Sequence, residues 1–151
     1  MTIGNHPMSS IPPKMASIIE DFQLCEGREK LELLIQFAES LPPLPDWVKE
    51  HHEQMDPIPE CMTPVKVVSE SQANLLYFHF DAPAESPMVR GFASFMKQGL
   101  DGSHAEEILQ VPGDFFTQMG LEKVLTHQRL NGLSAILAHM KQLAVKQIKT
   151  S

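Results

Sequence analysis

Apolar residues recur along the chain with two periods, and the period changes where the architecture must change. Met15, Ile18, Ile19 and Phe22 repeat every three to four positions, the spacing that lines one face of a helix. They follow a polar opening stretch with prolines at 7, 12 and 13, which predicts a flexible leader over residues 1–13 and a single domain over 14–151. From Arg28 the helical period returns with Leu31, Leu34, Ile35, Ala38 and Leu41, until Pro42-Pro43 ends it. Residues 42–64 then carry six prolines, too many for a central strand, and predict a surface connection with one helical turn near Asp46 to His52.

The period next falls to two. Leu76, Phe78 and Phe80 alternate with Tyr77, His79 and Asp81, and Val65–Glu70 is a second β-rich run across the connection Ser71-Gln72-Ala73-Asn74. The two runs predict an antiparallel hairpin with one buried face. Ser86-Pro87 supplies a helix start, Met88, Val89, Phe92, Ala93, Met96 and Leu100 continue the stripe, and Asp101-Gly102 stops it. Short helical pieces near 104–109 and 113–119 precede a long final helix from about Gln128, with Leu133, Ile136, Leu137, Met140 and Ala144 on one face. The order predicts an α+β fold: helices packed on one face of a small antiparallel sheet.

Charge narrows the partners. Twelve basic against nineteen acidic side chains give a net charge of −7, which disfavours nucleic acid, whose binding rests on Lys and Arg displacing counterions. No stretch approaches the roughly 18 apolar residues that span a bilayer, and the opening residues lack the pattern of a secretory signal, so the expectation is a cytoplasmic protein with no membrane partner. A 42% apolar composition suffices for one core. The charged positions Glu26, Arg28, Glu29, Lys30 and Glu32 are expected on a solvated helix face.

Only two cysteines occur, so a disulfide framework does not define the fold. Cys61 sits in the proline-rich connection leading into a strand, where a scaffold can present a reactive group; a small buried hydrophobe is the plainer alternative. Cys25, at the end of the first helical stripe, suits packing. His51, His52 and His79 lack the paired spacing of a metal site, and no metal or cofactor is expected. Cys61 with His79 or His127 has the residue types for a cysteine hydrolase, but the sequence announces no oxyanion hole.

Several segments together resemble the SufE family of sulfur-acceptor proteins, over about Ile18 to Leu143. They are Leu34-Ile35 through Ser40-Leu41-Pro42-Pro43-Leu44, Ile58-Pro59-Glu60-Cys61-Met62-Thr63-Pro64-Val65, Asp81 with Val89-Arg90-Gly91, and Leu125-Thr126-His127-Gln128-Arg129-Leu130-Asn131-Gly132-Leu133. The resemblance implies a SufE/IscU-like fold with about three antiparallel strands, the third expected within residues 58–64. It implies that Cys61 carries sulfur as a persulfide received from a SufS-like cysteine desulfurase and delivered to a SufBCD-like iron-sulfur scaffold complex. It also implies no turnover of small molecules by the chain itself. Glu60, Met62, Thr63, Asp81 and Arg90 become candidate loop and partner-binding residues, and homodimerisation is left open. The commonest loop of the family, Gly-Cys-x-Ser, is here Glu60-Cys61-Met62-Thr63-Pro64.

Sulfur transfer requires a thiolate, and an unperturbed cysteine is only a few per cent ionised at neutral pH. Asp56 and Glu60 oppose ionisation, whereas Arg129, or a protonated His127, is the candidate supporting cation if the last helix starts beside the loop. A pair between Arg129 and Asp81 is the alternative structural role for that arginine. In the free protein Cys61 is expected to be sheltered against apolar neighbours until a desulfurase docks. Two other readings remain: an interaction module with an incidental cysteine, and the hydrolase.

Overall fold

The alternating run Leu75–Asp81 forms a strand whose partner is longer than its β-rich core. The computed structural model describes residues 11–59 and 64–150. Strands β2 (Lys66–Gln72) and β3 (Leu75–Asp81) pair antiparallel over their full length, from Lys66 opposite Asp81 to Gln72 opposite Leu75. Only Ala73 and Asn74 connect them, with φ of +52° and +67°. Two successive left-handed residues twist the chain as a two-residue hairpin requires, which frees Ser71 and Gln72 to remain in the ladder. The expected four-residue connection is therefore two residues shorter.

The third strand, β1 (Asp56–Pro57), pairs antiparallel with β2, giving the order β1-β2-β3. It lies just before the range 58–64 expected for it, of which residues 60–63 lie outside the described ones. Two residues, one a proline, leave no alternation to read. Proline is tolerated there because β1 is an edge strand, whose missing N–H breaks no central ladder.

Val67, Leu76, Phe78 and Phe80 turn one sheet face inward and are at most 3% exposed. Against this face packs α4 (Pro87–Leu100), which also meets α1 (Pro13–Gln23), α2 (Arg28–Glu39) and α6 (His127–Thr150). Every residue of α4 from Gly91 to Met96 is buried, so this helix is apolar nearly all round. The stripe Met15, Ile18, Ile19 and Phe22 of α1 is buried as its spacing predicts, although packing begins earlier, with Ile11. Short helices α3 (Asp46–Glu50) and α5 (Ala105–Leu109), with single 3-10 turns at His52–Gln54, Phe115–Thr117 and Leu121–Lys123, complete the chain. The start of α6 is set by Thr126, whose Oγ1 accepts the backbone N–H of Arg129 at 3.2 Å.

One expectation fails on α2. Lys30, assigned to a solvated face, is 7% exposed, and its Nζ donates to the Phe22 carbonyl at 2.6 Å. The stem packs inside while the ammonium adds a second donor to a carbonyl at the end of α1 that also accepts the Cys25 N–H at 3.1 Å.

Candidate functional site

Cys61 lies in the connection between β1 and β2, and the described residues define the base of that connection. Ile58 and Val65 are both buried, and the Ile58 N–H donates to the Val65 carbonyl at 3.0 Å, extending the β1–β2 ladder by one rung. The exposed Pro59 and Pro64 follow on either side, each fixing φ and supplying no donor. Glu60, Cys61, Met62 and Thr63 lie outside the described residues. Chain connectivity alone keeps the Cys61 Cα within about 11 Å of that of Ile58.

Two histidine–carboxylate pairs flank this end of the sheet. Asp81, opposite Lys66, is met by His52 Nε2 at 2.7 Å, so the 3-10 turn after α3 is tied across the outer face. Asp56, opposite the inward-facing Val67, points to the helix side and is met by His139 Nε2 of α6 at 3.3 Å. Arg90 adds a third tie, its Nη1 donating to the Ala82 carbonyl at 2.7 Å just beyond β3. Asp81 and Arg90 thus stand at this end of the sheet, each engaged within the fold.

The Asp81 carboxylate is occupied by His52, and no ion pair between it and Arg129 is seen among the described residues. Arg129 and His127 are exposed in the first turn of α6. Arg129 precedes His139 by ten residues, about 15 Å along the axis. Between and beyond them an open groove of about 540 Å³ is lined on α6 by Asn131, Ser134, Ala135, Ala138, His139 and Gln142.

The histidines divide by partner. His79 lies further along the outer face, its side chain 12% exposed, with Nε2 at 2.8 Å from Glu70 and the Trp47 ring edge-on at 5.7 Å. The bond from His79, aided by Gln72, holds the Glu70 carboxyl below its ordinary value of 4.5. His51 is exposed beside Glu53. Among the described residues no group of three or more histidine, cysteine or acidic side chains is placed to hold a metal ion, and no helix is long and apolar enough to cross a membrane. Cys25 is a half-exposed free thiol between α1 and α2. Sequence reasoning missed His139: one histidine on an otherwise regular helix stripe carries no signal, and its partner lies 83 residues away.

A small α+β domain with a cysteine-bearing connection between two strands of a three-stranded sheet matches one class of protein. The family model described as SufE, an Fe-S metabolism associated domain, covers residues 16–144. A SufE-like protein of Mycobacterium tuberculosis is 44% identical over 135 residues, 89% of this chain and 93% of that protein. The sulfur acceptor protein CsdE of Escherichia coli is 28% identical, over 80% of this chain and 82% of its own. A solution structure of a hypothetical protein from Thermus thermophilus superposes with a TM-score of 0.81 at 30% identity, covering 92% of this chain and 98% of the other. The chain belongs to the SufE family.

Proposed function

We propose that this chain is a sulfur acceptor for iron-sulfur cluster assembly, taking sulfur from a cysteine desulfurase onto Cys61, stimulating that enzyme, and passing the sulfur to a scaffold complex. Family membership supports the acceptor role, as does the naming of one relative as a sulfur acceptor protein. The observation that carries the assignment to Cys61 is its place on a segment of six residues, 59–64, whose two ends are clamped by buried Ile58 and Val65. A clamped base with exposed prolines suits presentation to a partner.

In the transfer, the Cys61 thiolate attacks the outer sulfur of the donor persulfide. A new S–S bond forms to Cys61 as the donor S–S bond breaks, and its electron pair leaves on the donor cysteine, which takes up a proton or remains a thiolate. No external oxidant or reductant is needed. Arg129, exposed at the head of α6, is the cation we assign to assist docking or thiolate formation, with His127 beside it, if protonated, as the alternative.

The hydrolase alternative fares worse where it pairs Cys61 with His79. His79 sits beneath Trp47 with one ring nitrogen on Glu70, leaving little of its surface for a substrate. The acceptor role is tested by incubating the protein with a cysteine desulfurase and free cysteine, mapping added sulfur by mass spectrometry and following sulfide release. One extra sulfur on Cys61, with stimulation abolished by Cys61→Ser and kept by Cys25→Ser, is expected. Full stimulation by the Cys61→Ser protein would reduce the chain to a binding module.

A further inference from the structure

The base of the Cys61 segment depends on few hydrogen bonds. β1 has two residues, and Pro57 brings no N–H to the ladder. Beyond it only the Ile58–Val65 rung closes the base. The side chain of Asp56 supplies a tie of another kind, because it crosses from the sheet to α6 and meets His139. The imidazole is held firmly, with its side chain 16% exposed, while Asp56 is 40% exposed. On α6 the surroundings of His139 are the small and polar residues of an open groove, Ala135, Ala138 and Gln142 among them. The hydrogen bond spans directly from β1 to α6 there.

Resting on the acceptor reading above, we propose that His139 is a positioning residue for sulfur transfer. By donating from Nε2 to Asp56 it fixes β1 against α6, and so steadies the Ile58–Val65 base on which the Cys61 segment is mounted. It need not touch the reacting sulfur. A group acting this way alters the rate of transfer within the docked pair and leaves docking itself unchanged.

The test compares wild type, His139→Leu, which removes the donor, and His139→Gln, which retains a side-chain N–H. Hydrogen exchange of the Ile58 amide, followed by NMR in the isolated protein, reports opening of the segment base. Leucine should accelerate it about fivefold, the size expected for one part-exposed, charge-assisted hydrogen bond. Glutamine should restore most of the protection, and amides of α4 should be accelerated in neither variant by more than the Ile58 amide. With a desulfurase and cysteine, His139→Leu should lower the stimulation reached at saturating acceptor while leaving the half-saturating concentration unchanged. Unchanged Ile58 exchange, acceleration of the α4 amides beyond that of Ile58, no difference between leucine and glutamine, or undiminished maximal stimulation would each overturn the proposal. The exchange measurement needs no desulfurase, so a wild-type chain that fails to stimulate one would be recognised separately as failure of the acceptor reading.

Discussion

Gly91 lies where α2 crosses α4, and a methyl group built there would stand 2.5 Å from the Leu34 carbonyl oxygen and 2.7 Å from its Cδ1. The oxygen belongs to backbone and cannot swing aside, so Gly91→Ala forces the two helices apart. The expected cost is about 2–3 kcal/mol, a fall in Tm of roughly 5–10 °C for a domain of this size. Gly113→Ala, whose added methyl meets nothing within 4 Å, should change stability by less than about 0.5 kcal/mol. Calorimetry on the pair checks both. Gly91 appears in the Val89-Arg90-Gly91 motif, yet its reason is visible only where two helices meet. Lys30 makes the same point in reverse: its charged neighbours mark the stretch as solvated, and only the turn between α1 and α2 brings the Phe22 carbonyl within reach. His139 is illegible for a like reason, since pairing with Asp56 is a property of the folded chain.

Elements with a regular period are legible because period and burial have one cause. Alternation in 75–81 places β3 and its inward side chains, and the three-to-four spacing places α1, α2, α4 and α6. What escapes is short: β1 offers two residues without alternation, and the hairpin loop is tighter than its residues suggest because the turn-favouring Ser71 and Asn74 bracket Gln72 and Ala73. The tight turn has a consequence for stability. Ala73 holds φ at +52°, where its Cβ crowds the following carbonyl at a cost of about 1–2 kcal/mol that asparagine or glycine largely avoids. Ala73→Asn should therefore stabilise the protein by about 1 kcal/mol, and Ala73→Val should destabilise it by at least as much. Urea unfolding reads the difference as a shifted midpoint with an unchanged slope. If the asparagine variant were less stable, the left-handed turn would not be the source of strain.

At the scale of the whole molecule, the α+β layering follows from the order of periods, but the centre of the core does not. Phe95 of α4 lies 5.7 Å from Phe22 of α1, 6.0 Å from Phe37 of α2, 6.3 Å from Phe92 and 6.4 Å from Phe115, centroid to centroid, and is itself fully buried. All four contacts are edge-to-face, the arrangement aromatic quadrupoles favour. One ring thus joins α1, α2 and the 3-10 turn at Phe115–Thr117 to the helix that covers the sheet. Truncating it should cost more than losing a peripheral ring, because four aromatic neighbours lose a partner together and a close-packed interior relaxes only partly into the cavity. Phe95→Ala should lose about 3–5 kcal/mol, a large share of the roughly 5–15 kcal/mol that stabilises a domain. The half-buried Phe116, which meets only Phe115 among the described rings, should lose clearly less on the same substitution. Because α4, which carries Phe95, packs against both the other helices and the sheet, loss of the Phe95 ring should lower the near-ultraviolet and far-ultraviolet unfolding transitions together. Separate transitions in Phe95→Ala would instead mean that the helical layer and the sheet carrying the Cys61 segment unfold independently.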